Sequence, residues 1–143
     1  MSANLSTSLV QEISPEQGST FLNEIPGAKL VDVRTEAERR YVGLPDLHSA
    51  AGALVQISWH IFPDMRVNER FVNGLQQAAS PDDVLVFLCR SGGRSMEAAR
   101  AAAAAGFKRS YSLRDGFEGP VDSRGQRGNV AGWKFSALPW AQS

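Results

Sequence analysis

The chain has little of what several common chemistries need. Its 143 residues include one cysteine, Cys89, and two histidines, His48 and His60. A single cysteine excludes an intrachain disulfide and a CxxC dithiol mechanism. It fits a reducing compartment, so a cytoplasmic location is expected. No Cys or His lies at zinc-like spacing, so no metal site is expected. Lys+Arg and Asp+Glu are equal at 15 each, giving zero formal net charge. That balance supplies no bulk field for nucleic acid or an anionic membrane, and neither is an expected partner. No apolar run approaches the roughly 20 residues of a membrane span. The opening "MSANLSTSLVQEIS" lacks a basic region followed by an apolar block, so no signal peptide is expected. No repeat of useful length is visible.

What remains is ordinary globular material. Hydrophobic residues make up 43% and charged residues 21%. The length suits one domain over 1–143, with a core from about 9 to 140. "SLVQEISPEQGSTFLNEI" reads as a short strand over Leu9–Ile13 and then a helix. Ser14 caps it, Pro15 takes the first helical position, and Gln17 completes a capping box. "AKLVDVRTEAERRY" gives a strand over Leu30–Val33, interrupted by Asp32, and a helix capped by Thr35 that runs through Tyr41. "GLPDLHSAAG" is loop by composition, and "ALVQISW" is a third strand. "RVNERFVNGLQQAAS" places Val67, Phe71, Val72 and Leu75 near helical spacing.

"DDVLVFLCR" is the clearest strand. Val84 to Leu88 is apolar at every position, as in a parallel sheet buried on both faces. "SMEAARAAAAAGF" is the clearest helix, with Gly106 as its stop. "KRSYSLRDG" supplies a last strand and a turn holding Asp115. From Phe117 onward, turn residues dominate, and Trp133, Phe135 and Trp140 are expected to anchor this tail in the core. Strands alternating with helices predict an α/β domain with a central, mostly parallel sheet flanked by helices.

Cys89 ends the best strand, at the edge where open α/β sheets bind ligands. "RSGGRS" then leads straight into a helix. Gly92 and Gly93 allow successive amides to turn inward as an anion nest. The helix N-terminus adds unpaired N–H groups and a positive dipole end. Arg90 and Arg94 add two fixed charges. All three features favour a thiolate over a thiol, and an anionic substrate. The opposing reading is a small buried hydrophobe beside a simple turn. Two arginines, two glycines and a helix start within six residues weigh against it. A cysteine phosphatase needs arginine six positions after the cysteine. Arg94 is five positions on, and position six is Ser95. The stretch also lacks the Lys-Ser/Thr of a nucleotide-binding phosphate loop.

"CRSGGRS" after an apolar strand resembles the active-site loop of single-domain rhodaneses, the thiosulfate sulfurtransferases. "LVDVRTEAE" resembles the family's early "DVR" element. "YSLRDGFEG" resembles the strand and glycine turn after its active-site helix. "GWKFSALPW" resembles the closing segment of one subgroup. "DLHSAAGAL", with His48 and Gly52, differs in spacing from the "GHIPGA" turn of many members. The resemblance implies a rhodanese-like three-layer α/β domain and an enzyme that moves sulfur through a Cys89 persulfide. The donor would be thiosulfate or a related small molecule, and the acceptor cyanide, a thiol or a protein thiol. No cofactor, metal or nucleotide is implied. Two alternatives stand beside it: a cysteine-loop phosphatase or arsenate reductase-like enzyme, and a non-enzymatic persulfide carrier or recognition module.

The expected catalytic residue is Cys89. The expected substrate-binding residues are Arg90, Ser91, Gly92, Gly93, Arg94 and Ser95, with Arg94 closing the loop and contacting both sulfur and donor. Ser95 also suits a simple helix cap. Asp32 and Arg34 are read as a buried polar network supporting the loop. Arg124 and Arg127 are read as solvated loop residues, with a place at the border of the pocket as the alternative.

Overall fold

A computed structural model describes residues 10–45, 53–61, 64–90 and 92–141. Five strands form one parallel sheet: β1 (Gln11–Ile13), β2 (Lys29–Asp32), β4 (Ala53–Gln56), β7 (Val84–Leu88) and β8 (Arg109–Leu113). Their order is β1-β8-β7-β2-β4, so β7 lies in the middle with β8 and β2 beside it. Four helices connect or flank them: α1 (Pro15–Glu24), α2 (Glu36–Val42), α3 (Phe71–Ala78) and α4 (Gly93–Ala104). Two short antiparallel pairs are also present among the described residues. One joins β3 (Leu44–Pro45) to β9 (Trp140–Ala141), the other β5 (His60–Ile61) to β6 (Arg66–Val67).

The period of two along β7 divides its side chains between two cores. Leu85, Phe87 and Cys89 share one core with Phe71 and Leu75 of α3 and Ala98, Ala99 and Ala102 of α4. Val84, Val86 and Leu88 share the other with Leu22 of α1, Phe117 and Trp133. This is the expected three-layer α/β arrangement. The small side chains of α4 let it lie close to β7 and β8.

Capping follows the expected chemistry. Ser14 and Gln17 form a capping box on α1, and Thr35 and Glu38 form one on α2. Gly106, just past α4, has φ 106°. Three expectations need correction. Val67 is in β6, not in a helix, and is 47% exposed. The side chain of Asn68 accepts from the Arg70 N–H at 3.0 Å, which turns the chain before α3 starts at Phe71. The first strand begins at Gln11; Leu9 lies outside the described residues, as do His48 and Gly52. Of the three tail aromatics only Trp133 is a core anchor, 1% exposed, with its ring N–H donating to the Pro139 carbonyl at 2.7 Å. Phe135 is 54% exposed. Trp140 is half-exposed and lies edge-on to Phe117, because β9 pairs with the peripheral β3. No helix among the described residues is long and apolar enough to cross a membrane.

Candidate active site

Cys89 follows the last residue of β7, at the carboxyl end of the central strand. Its side chain is buried. Gly92 then takes φ 116°, in the left-handed region, and caps α4. Glycine adopts that conformation without a Cβ penalty. The turn brings the Gly92 N–H back to Cys89 Sγ at 3.0 Å. Ser95, in the first turn of α4, places its hydroxyl 3.4 Å from the same sulfur. The Ser95 hydroxyl also lies 3.0 Å from the Gly92 carbonyl and 2.8 Å from the Ser112 hydroxyl. Ser95 therefore both braces the loop and faces the sulfur. Its single proton serves one acceptor at a time. Ser112 comes from β8 and is buried. Sequence reasoning missed it; the signal is a serine on the core face of the strand next to the cysteine strand.

The segment after β8 holds the loop from behind. Asp115 has φ 64° and Gly116 φ 62°, so the expected turn at "RDG" is present. The Phe117 N–H donates to the Cys89 carbonyl at 2.8 Å, and the Glu118 and Gly119 N–H groups to the Arg90 carbonyl at 3.0 and 3.1 Å. A Cβ on Gly116 would sit 2.4 Å from the Cys89 carbonyl oxygen, so only glycine fits there. Behind Phe117 lies the Asp32–Arg34 pair, both side chains fully buried. Arg34 Nε and Nη2 donate to the two Asp32 oxygens at 3.0 and 2.8 Å, and Nη2 also donates to the Gly43 carbonyl. The guanidinium carbon is 4.4 Å from the centre of the Phe117 ring. This pair is an internal brace, with both side chains fully buried.

The front of the loop carries a second pair. Arg94 Nη1 and Nη2 donate to Glu38 Oε1 and Oε2, both at 2.8 Å. Burial pushes the Glu38 carboxyl up, but the hydrogen bonds from Arg94 and Thr35 and the Arg94 charge outweigh it and hold it down at about 2. The same pairing raises Arg94. Arg94 was expected to fork toward sulfur and donor; its fork is engaged by Glu38 instead. The sequence marks Glu38 only as the N3 position of a capping box, and the fold brings it to the loop. A cavity of about 340 Å³ opens over the sulfur, lined by Glu38, Met65, Cys89, Arg90, Gly93 and Arg94. Ser91 lies outside the described residues. Arg124 is exposed, and Arg127 donates to the Gly119 carbonyl at 2.7 Å; neither lines this cavity. A larger cavity, about 530 Å³, lies beside α2 near Ser58 and His60 and does not contain Cys89.

A thiol at a strand end, a tight amide turn and a small charged cavity make an arrangement of the kind that covalent catalysis uses. Comparison with known proteins gives the family. Residues 12–143 match the family model described as the STR4 middle domain. The chain is a rhodanese-like domain of that family. It resembles the crystal structure of Rv0390 from M. tuberculosis with a TM-score of 0.86 and 42% identity, covering 94% of this chain and 98% of that one. The uncharacterized protein RP600 of Rickettsia prowazekii is 35% identical over 134 residues, 92% of this chain and 98% of the relative. Plant relatives bear rhodanese-type names. Thiosulfate sulfurtransferase 18 of Arabidopsis thaliana is 30% identical over 128 residues, 85% of this chain and 89% of the relative. The chloroplastic protein Thylakoid rhodanese-like of Oryza sativa subsp. indica is 31% identical, across 83% of this chain and 22% of its own length.

Proposed function

We propose that this rhodanese-like domain is a thiosulfate sulfurtransferase, with Cys89 as its nucleophile. The observation that carries the reading is the sulfur itself. Cys89 Sγ lies 3.0 Å from the Gly92 N–H and 3.4 Å from the Ser95 hydroxyl, at the floor of a cavity that carries two guanidinium groups. The Cys89 thiolate attacks the outer sulfur of thiosulfate. A new S–S bond forms, the old one breaks, and its electron pair leaves on sulfite. Cyanide or a thiol then attacks the outer sulfur of the persulfide and restores the thiolate. The Gly92 N–H and the helix N-terminus stabilise the negative sulfur in both states. Arg90, Gly93, Arg94 and Ser95 contribute contacts or charge to the donor site. The reaction needs neither a second cysteine nor a cofactor, and a single unpaired thiol suits a cytoplasmic location. The acceptor includes protein thiols. The engaged fork of Arg94 disfavours phosphate chemistry, because no free bidentate cradle is left for a phosphoryl group.

Intact mass after incubation with thiosulfate tests the reading. The protein should gain one sulfur atom, lose it to reductant, and gain none as Cys89→Ser. Steady-state rates with thiosulfate and cyanide should give parallel double-reciprocal lines. Absence of a reductant-reversible sulfur, or turnover of an aryl phosphate in its place, overturns it.

A further inference from the structure

Building on the sulfur-transfer reading, we propose that Lys134 is a positioning residue, which fixes the Cys89 loop by tying the tail to Phe117 and to the end of α2. Lys134 holds Phe117 by both its backbone and its ring. The Lys134 backbone N–H donates to the Phe117 carbonyl at 3.1 Å. Its ammonium lies 5.3 Å from the centre of the Phe117 ring. The Phe117 N–H in turn donates to the Cys89 carbonyl at 2.8 Å. Phe117 alone therefore stands between Lys134 and the residue that carries the sulfur. The ammonium also lies 4.0 Å from the centre of the Trp140 ring and donates to the Val42 carbonyl at 3.1 Å. Trp140 is edge-on to Phe117, with ring centres 6.1 Å apart. Val42 ends α2, the helix whose Glu38 holds Arg94 at the cavity. A cation suits that helix end, where the last carbonyls lack partners within the helix. Lys134 thus joins two elements that each bond to the segment from Cys89 to Arg94.

Packing alone does not call for a charge here. Among the described residues Lys134 forms no ion pair with a carboxylate. Burial pushes its amine below the ordinary lysine range; Glu118 opposes that shift and Arg34 adds to it. An apolar side chain of similar length would fill the space without the desolvation cost. What the ammonium adds is direction. An aliphatic chain end slides over two rings. An ammonium is held at once by a carbonyl acceptor and by the negative faces of Phe117 and Trp140. Arg34 lies against Phe117 as well, with its guanidinium carbon 4.4 Å from the ring centre and Nη2 on the Gly43 carbonyl. Two cations thus fix one ring and the end of one helix, and the Phe117 backbone passes that constraint to Cys89. Lys134 does not line the Cys89 cavity. It acts on where the sulfur sits and leaves the donor's contacts alone.

The test compares wild type with Lys134→Met, which keeps the packing and removes the charge, and with Lys134→Arg, which keeps a cation. Each protein is measured in three ways. Urea unfolding gives the midpoint. Iodoacetamide at neutral pH gives the alkylation rate of Cys89. Intact mass after mixing with thiosulfate gives the saturating rate of sulfur loading and the half-saturating concentration. Lys134→Met should lower the alkylation rate and the saturating loading rate about tenfold, because a small misplacement of a nucleophile costs that much. The half-saturating concentration should stay within about twofold, because the donor's contacts are intact. The urea midpoint should hold or rise, because a desolvated charge has gone. Lys134→Arg should bring both rates back to within about threefold of wild type. A wild-type value for either rate in Lys134→Met overturns the proposal. So does a loss of rate that follows a fall in the urea midpoint, or one that Lys134→Arg does not restore, since either marks a merely structural contact. The alkylation arm needs no sulfur transfer. If thiosulfate fails to load wild-type Cys89, the sulfur-transfer reading falls, and alkylation alone decides the role of Lys134.

Discussion

Two arginine–carboxylate pairs lie near the Cys89 loop, one buried against Phe117 and one lining the cavity over the sulfur, and their surroundings differ. At the rear, Asp32 and Arg34 are both 0% exposed and joined by three hydrogen bonds, two from the guanidinium and one from the Arg34 backbone N–H. In front, Glu38 and Arg94 are 19% and 18% exposed and line the cavity. Both carboxylates come from one short stretch, the end of β2 and the start of α2. The rear pair touches Phe117 and Gly43, so its role is to hold shape. The front pair touches the space a substrate enters, so its charge is felt there. The same chemistry is sealed inside the fold in one place and faces a cavity in the other, and solvent access separates the two.

Breaking the rear pair should have the largest effect. Arg34→Met leaves the Asp32 carboxylate buried without its partner. Removing one member of a buried pair costs about 3–5 kcal/mol, a large part of the total stability of a domain this size. Urea unfolding should show a much lower midpoint at an unchanged slope. Glu38→Gln should shift that midpoint little, because exposed and half-exposed pairs contribute about 1 kcal/mol or less. Equal shifts for the two variants would erase the distinction between the pairs.

A smaller break on the same rear side is Gly116→Ala. Its φ of 62° and the 2.4 Å approach to the Cys89 carbonyl leave no room for a methyl group. Strain of about 1–3 kcal/mol is expected. The Cys89 and Arg90 carbonyls must move, so the loading rate should fall roughly a hundredfold through misplacement of the sulfur. Wild-type loading in this variant would mean that the loop holds its shape without the rear contacts.

The two sides were not equally legible from the sequence. β7, α4 and the Cys89 turn are set by local signals: an unbroken apolar run, an alanine helix and paired glycines. The buried network of Asp32 and Arg34 was legible as two charges inside an apolar strand context. Glu38 was not, because its partner is 56 residues away and only the β2–β7 pairing brings them together. Ser112 was hidden for the same reason, lying on β8 beside Ser95. Of the tail aromatics Trp133 is the expected core anchor, and Phe135 and Trp140 are not, because aromatic content signals burial only where the backbone packs on the core. Phe135 lies in a turn-rich segment away from it, and Val67 left its helix because Asn68 turned the chain.

Arg94 itself gives the next smaller effect and sharpens the front of the comparison. Arg94→Ala leaves Glu38 as an unpaired anion facing the donor. A charge-assisted bond contributes roughly 1.5–3 kcal/mol, so kcat/KM for thiosulfate should fall about ten- to hundredfold. Arg94→Lys keeps the charge and loses the fork, so activity should rank wild type, lysine, alanine. Stability should change by about 1 kcal/mol. The sign is opposite to that of Glu38→Gln, which should raise thiosulfate loading. If both variants shift the rate in one direction, the pair acts through loop geometry and its charge has no separate effect.

The smallest effect is the acid response of the front pair. The Glu38 carboxyl titrates at about 2 in the folded protein, below its ordinary 4.5. The unfolded chain therefore binds the proton more readily, and stability rises with pH across this interval. The contribution is fully present above about pH 5. It is lost as pH falls toward 2 and is absent below. Its size should be about 1 kcal/mol or less, since both side chains remain partly exposed to screening solvent. The check is the stability difference between wild type and Glu38→Gln, measured by urea unfolding from pH 7 down to the acid limit of folding. That difference should be constant above pH 5 and narrow steadily below it. High salt should reduce it at every pH, because this pair faces water. A difference that stays flat below pH 5 would mean that Glu38 is not held as a carboxylate by Arg94. The front pair would then differ from the rear one in more than its exposure.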